Sequence, residues 1–357
     1  MSISLVKQLN HHFFDTFAES DHIYCSSVTP QPLDNPKWVS RNDRLAAELG
    51  VDTKELASEE LLALMSGCGL SDQLKPISMV YSGHQFGVWA GQLGDGRAIT
   101  LGEIGVGKEG ELWDLQLKGA GNTPYSRFAD GRAVLRSSIR EYLCSEAMYG
   151  LGIPTTRALC LINSDTPVYR EEVESAAVLC RVARSHIRFG SFEHFHYRDN
   201  PKAVKALADY VIARHFPTWI NDKDCYLKLL QNTVLKTAHM IAQWQAVGFS
   251  HGVMNTDNMS ILGDTIDYGP FGFMDAYDPQ FICNHSDTGG RYSFKNQPAV
   301  ALWNLNALAT AFTSILDSDQ LADCLKQYEP EFLRRYRQIM AKKIGLETYQ
   351  PQDETLI

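Results

Sequence analysis

From Ala133 to Gly150 apolar residues return at every fourth position, Leu135, Ile139, Leu143 and Ala147, which predicts a helix that buries this stripe and carries Glu141 on a different face. Trp113 to Lys118 alternates with period two and reads as a strand that ends at Lys118. Thr156 to Asn163 and Ala176 to Ala183 also read as strands. Lys202 to His215 and Asp224 to Val247 are amphipathic, and the second helix runs straight into Gly248, Phe249, Ser250 and His251. Asn42 to Met65 has helical composition interrupted near Gly50, so two short helices are expected there. Gly94, Asp95 and Gly96 stand between two alternating runs and signal a hairpin turn. Residues 1–40, which mix aromatics with Pro and Ser, suggest an arm laid over the body. The order is a strand-rich half containing one important helix, followed by a helix-rich half, without internal repeats or low-complexity tracts.

A chain of 357 residues exceeds the size at which single cores stop growing, so two domains are expected, residues 1–185 and 186–357. The net charge of −9 argues against a surface built to hold nucleic acid. No apolar run approaches the roughly 20 residues that span a bilayer, and the N-terminus lacks the apolar core of a secretory signal. These features predict a soluble, cytoplasmic protein with no membrane partner. The eight cysteines contain no C-x-x-C, which excludes a zinc ribbon or a dithiol redox motif; most are expected to be small buried residues, while Cys283 lies in a polar stretch where redox reactivity is conceivable.

The chemistry concentrates in HGVMNTDN, His251 to Asn258, followed by Asp267, Tyr268 and Gly269. Laid over the protein-kinase catalytic loop H-R-D-L-x-x-x-N, His251 and Asn258 fall in register while Val253 replaces the catalytic base, and Asp267 stands where kinases carry the Asp of D-F-G. Asn258 and Asp267 offer hard oxygen ligands suited to Mg²⁺ on nucleotide phosphates; the alternatives are an Asx turn and a turn residue. Gly94, Gly96 and Arg97 offer a glycine turn that approaches phosphates, or an ordinary hairpin. Lys118 at a strand end and Glu141 on the next helix have the kinase order of a phosphate-binding Lys and its Glu partner, against two separate surface charges. Arg181 and Arg188 either grip phosphates bidentately or form a surface basic strip. His251 reads as a structural histidine. With Val253 unable to take a proton, Asp257 is the carboxylate left in the loop to do so, unless it binds metal or caps the loop. The whole resembles an α+β, protein-kinase-like bilobal fold with a strand-rich N-lobe and a helix-rich C-lobe.

The longer motifs YSGHQFG from Tyr81, QLGDGRA from Gln92, QLKGAG from Gln116, YSRFADGR from Tyr125, the His251–Asn258 loop and DYGPFGFMD from Asp267 are together similar to the selenoprotein O family, over nearly the whole chain. That resemblance implies a kinase-like fold that binds ATP in a flipped orientation and transfers AMP to Ser, Thr or Tyr hydroxyls of proteins, releasing pyrophosphate. It implies nucleotide contacts at Gly94, Gly96, Arg97, Lys118, Asp130, Gly131, Arg181 and Arg188, with the two arginines on the γ-phosphate end. It further implies Mg²⁺, with Mn²⁺ as the alternative, at Asn258 and Asp267, Asp257 as proton acceptor, and Glu141 as partner of Lys118. Family members continue past Ile357 to a Cys or selenocysteine, so a C-terminally truncated chain is expected. The competing readings are an ATP-binding scaffold without turnover and a conventional phosphotransferase.

Overall fold

The computed structural model describes residues 4–17, 23–69, 72–106 and 111–356; the remaining parts of the expected N-terminal arm, 1–3 and 18–22, lie outside the described residues. Two compact units emerge: Met1–Ser82 with Gly91–His186, and Gly83–Ala90 with Ile187–Ile357. Gly83–Ala90, expected in the first domain, therefore packs with the second.

The first unit is built on an antiparallel sheet. From edge to edge its strands are Cys25–Ser27, Ile77–Met79, Ala98–Val106, Glu111–Lys118, Val173–Ala183, Arg157–Tyr169 and Lys37–Arg41, and Ala133–Val134 also pairs with Val173–Ala183. The expected arm thus supplies both edge strands. The central strands are covered on both sides, so Ala98–Val106 and Val173–Ala183 carry long apolar runs while Glu111–Lys118 alternates. One face packs Ile99, Leu101, Leu115, Leu117 and Val178 against Leu45, Leu61, Leu64 and Met65. These last come from Asp43–Glu48 and Glu59–Met65, which with Thr53–Leu56 make three short helices where two were expected. The other face packs Ala158, Leu161, Ala177 and Leu179 against Leu135, Ile139 and Tyr142 of the helix Leu135–Gly150.

That helix corrects one expectation. Its buried residues are Ser138, Glu141, Cys144, Ser145 and Met148, whereas Leu143 is 62% exposed and Ala147 is exposed as well. At 3.6 residues per turn, a step of four advances about 40° beyond a full turn, so a strict four-residue stripe winds off the face after Ile139. The inward stripe is the polar one that carries Glu141.

The expected hairpin at Gly94–Gly96 is also corrected. Ala98–Val106 pairs with Ile77–Met79, and between these strands the chain makes its tight hairpin earlier, His84–Gln85 against Val88–Trp89, within the second unit.

The second unit is helical, with Phe189–His196, Pro201–His215, Cys225–Val247, Gln297–Ala311, Ser318–Leu325 and Tyr328–Lys343. Asn200 caps Pro201–His215 by accepting from Ala203 N–H at 3.1 Å. Cys225–Val247 stops at Gly248, whose φ of +69° ends the helix and turns the chain into the short pair Phe249–Ser250 and Gly272–Phe273. Among the described residues no helix is long and apolar enough to cross a membrane. Of the eight cysteines, Cys68 is exposed, Cys283 is half-buried with its Sγ 3.5 Å from the Ser250 carbonyl oxygen, and the other six are buried.

Candidate active site

In the first unit Lys118 closes the strand Glu111–Lys118, Arg181 lies on the neighbouring strand, and Glu141 faces them from the helix. The strand register sets Arg181 opposite Gln116. Glu141 is shared: Lys118 Nζ donates to Oε2 and Arg181 Nε donates to Oε1 at 2.5 Å. Arg181 Nη1 also donates to Gln116 Oε1 at 3.1 Å, and Gln116 Nε2 reaches Asp95 Oδ2 at 3.4 Å. A continuous polar chain therefore runs from the Gly94–Gly96 turn to Glu141. Arg181 is 3% exposed and Glu141 1%, so the surface-strip and separate-surface-charge readings fail here. Gly94 has a φ of +144° and is packed against the Tyr125 ring; a Cβ at Gly96 would lie 2.8 Å from the Tyr125 carbonyl oxygen. Both positions require glycine for close packing of the turn.

Arg97 is exposed at the start of Ala98–Val106, and its carbonyl accepts from Gly119 N–H at 2.6 Å. Asp130 is held by Arg170 through bonds of 2.8 and 3.0 Å and by Arg132 N–H at 2.9 Å; the Arg170 contact lowers its carboxyl below the usual range. Gly131 adopts φ +67° and its carbonyl accepts from Gly121 N–H at 3.1 Å.

In the second unit His251 is buried and neutral in character. Burial lowers its pKa, Nδ1 accepts from Val253 N–H at 3.3 Å, and Nε2 donates to the Ile266 carbonyl at 2.9 Å. Its ring stacks on Trp244 at 5.3 Å, so it joins the loop to the residue just before Asp267, the structural task expected of it. Asn258 commits its side-chain nitrogen to the Val253 carbonyl at 2.9 Å, which leaves the amide oxygen as the donor to a cation. Asp267 adopts φ +61°, a left-handed conformation that Asp tolerates better than most residues. Arg188, 2% exposed, ion-pairs with Asp267 Oδ2 and donates to the Asp257 carbonyl oxygen at 2.5 Å. Here too the surface-strip reading fails.

Asp257 is itself buried. Burial raises its pKa to about 6, against the opposing pull of Arg188 and of a hydrogen bond from Gln85. Its Oδ1 is buried without a hydrogen-bond partner among the described residues.

The expected site residues thus gather into two sets, Lys118, Glu141 and Arg181 in one unit and Arg188, Asp257, Asn258 and Asp267 in the other. The two arginines, expected at one phosphate, belong to different units. Sequence reasoning missed Gln116 and Asp95, which bridge the first set, and the hairpin residues Gly83 to Phe86, which lie against the loop in the second. Their signal was present, since both groups fall inside motifs that carry the family resemblance, but no chemistry was attached to them.

The charged groups of the two sets differ in kind. Glu141 faces two cations, Lys118 and Arg181, whose charge suits phosphate oxygens. In the second set Arg188 pairs with the Asp267 carboxylate and with the Asp257 backbone carbonyl, while the Asp257 carboxylate accepts from Gln85. The hard oxygens of Asn258 and Asp267 suit a divalent cation that also takes phosphate oxygens and water. Among the described residues there is no cluster of three or more His, Cys, Asp or Glu side chains that would hold a metal unaided.

A family profile described as Protein adenylyltransferase SelO matches residues 7–357. Similar proteins include the protein nucleotidyltransferase YdiU of Klebsiella pneumoniae subsp. pneumoniae, 55% identical over 334 residues that cover 94% of this chain and 69% of the relative. The protein of the same name from Pectobacterium carotovorum subsp. carotovorum is 53% identical over 347 residues, covering 97% and 71%. Among solved structures, a rhoptry antigen kinase domain of Toxoplasma gondii aligns over 74% of this chain and 87% of its own at 11% identity, with a TM-score of 0.27, too slight a likeness to support any conclusion.

Proposed function

The chain belongs to the protein adenylyltransferase SelO family, and from that premise we propose that it transfers AMP from ATP to hydroxyl groups of Ser, Thr or Tyr on protein substrates, with Asp257 as proton acceptor. Membership makes it a nucleotidyltransferase and makes ATP its donor substrate; the acceptor group and the residue roles are our reading.

The observation that carries this reading is the Asp257 carboxylate. It sits buried in the loop, with one oxygen unpartnered among the described residues, while the position of the kinase base is the apolar Val253. A carboxyl with a pKa near 6 is ionised at neutral pH and basic enough to take a proton as the hydroxyl attacks. The hydroxyl oxygen bonds to the α-phosphorus, its proton passes to Asp257, the bond from phosphorus to the bridging oxygen breaks, and pyrophosphate leaves with that electron pair. Lys118 and Arg181, fixed on Glu141, supply positive charge for phosphate oxygens without reorganising during the reaction. Arg188 supplies a second, buried guanidinium. Gly94, Gly96, Arg97, Asp130 and Gly131 complete the nucleotide contacts in this reading. Asn258 and Asp267 would hold Mg²⁺ or Mn²⁺, which when bound offsets charge on the phosphates.

Incubation with ATP labelled at the α- or the γ-phosphate tests the reaction. Label is expected on protein from the α-position only, with stoichiometric pyrophosphate. Transfer of γ-label would identify a conventional kinase, and ATP binding without pyrophosphate release would identify a scaffold.

A further inference from the structure

Three consecutive loop residues, Asn255, Thr256 and Asp257, are each bonded by one of three consecutive hairpin residues. His84 N–H donates to Thr256 Oγ1 at 2.7 Å, Gln85 Nε2 to Asp257 Oδ2 at 3.3 Å, and Phe86 N–H to Asn255 Oδ1 at 3.2 Å. Two buried side chains brace these contacts. Glu193 accepts from Thr256 Oγ1 at 2.5 Å and pairs with His84 Nδ1 at 2.9 Å; Tyr292 OH donates to Asn255 Oδ1 at 2.6 Å and accepts from Phe86 N–H at 2.9 Å. Gly83 lets the hairpin come this close, because a Cβ there would lie 2.9 Å from Asp257 Oδ1 and 3.0 Å from both Asp257 N and Thr256 Oγ1.

A carboxylate turns easily about its last torsion, so a donor fixed on one oxygen decides which way the other points. We propose that Gly83–Phe86 is a positioning clip for Asp257, in which Gln85 holds Oδ2 and so presents the unpartnered Oδ1 as the oxygen that receives the acceptor's proton. This rests on reading Asp257 as the proton acceptor. Gln85 touches no reacting atom; it is a positioning residue, and Gly83 leaves beside Oδ1 the space that a side chain would fill.

The test measures kcat with α-labelled ATP, the Kd for ATP and the melting temperature in the same variants. Gln85→Ala is expected to lower kcat ~10-fold and Gly83→Ala ~100-fold, the scale of a misplacement of about 1 Å, with Kd for ATP unchanged within about twofold. Thr256→Val, which removes the hydroxyl bonded to Glu193 and His84, is expected to lose turnover, and Thr256→Ser to restore it. In an Asp257→Asn background Gln85→Ala should cost nothing further, since it acts only through the carboxylate. Wild-type kcat in Gln85→Ala and Gly83→Ala overturns the clip, as does a loss that appears in Kd instead of kcat, or equal turnover by Thr256→Val and Thr256→Ser. If Asp257→Asn alone turns over normally, the proton-acceptor reading fails; if that variant is inactive while the clip variants are normal, only the clip fails. The Thr256 pair decides the matter should a hairpin variant not fold.

Discussion

The Glu141 cluster and the Asp257 loop are assembled differently. Lys118, Gln116 and Arg181 sit on two hydrogen-bonded strands and Glu141 on a regular helix, so repetitive backbone geometry fixes where each side chain starts. Asp257 and Asn258 stand on a single 3-10 turn, Thr256–Asn258, and Asp267 on irregular chain, where side-chain bonds replace the ladder: His251 to Ile266, Asn258 to Val253, Arg188 to Asp257, and the hairpin to Asn255–Asp257. A cluster on regular elements gains its precision from the fold, whereas a loop must be held residue by residue. The loop is therefore the part in which small, local changes are expected to affect turnover most.

The sharpest break in this comparison is Asp267→Asn, which keeps a residue that tolerates φ +61° while removing the charge that faces Arg188. Turnover at saturating ATP is expected to fall ~10²–10³-fold, the scale of losing one transition-state charge contact, with the largest loss at low divalent cation. Unchanged turnover across a Mg²⁺ titration would remove Asp267 from the metal assignment.

Glu141→Ala probes the other side. It leaves the half-buried Lys118 and the buried Arg181 without their shared carboxylate, and breaking a buried pair such as Arg181–Glu141 costs about 3–5 kcal/mol, so a large drop in denaturant midpoint is expected together with weaker ATP binding. If stability and ATP affinity both hold, the two cations are not organised by Glu141.

Next in size is the pH response. Asp257 must be ionised to accept a proton, and burial raises its pKa to about 6, so kcat should fall up to tenfold per unit as pH drops below that value. A bound divalent cation favours the ionised form and should move this limb to lower pH. A profile flat from pH 7 to 5 at low divalent cation would argue that Asp257 takes no proton.

The smallest effect separates the two faces of the helix Leu135–Gly150. Met148→Ala should cost about 2–5 kcal/mol, as core truncations do, while Leu143→Lys should change stability by no more than about 0.5 kcal/mol. Comparable losses in chemical denaturation would mean that the four-residue stripe is buried after all.

Much of this was legible because local chemistry constrains local sequence. Period-two alternation located the strand that ends at Lys118, amphipathic spacing located Pro201–His215 and Cys225–Val247 to within a residue, and the spacing of His251, Asn258 and Asp267 located the loop. The face of the helix was misread because counting apolar residues cannot reveal that a buried stripe has been given to a carboxylate whose partners lie on strands far along the chain. The turn at Gly94–Gly96 was misread for a related reason: its glycines answer to the Tyr125 packing, a contact that no local pattern records.

The sequence by itself determined several central strands and helices and their order, the family, and the residue types able to bind a nucleotide and a hard cation, since these follow from periodicity, short-range spacing and motif. Only the tertiary structure decided that Glu141 is shared by Lys118 and Arg181, that Arg188 belongs with Asp267, and that Gly83–Phe86 lies against Asn255–Asp257. Those pairings join residues between 23 and 172 positions apart, and burial and hydrogen-bond geometry select them after the chain has folded.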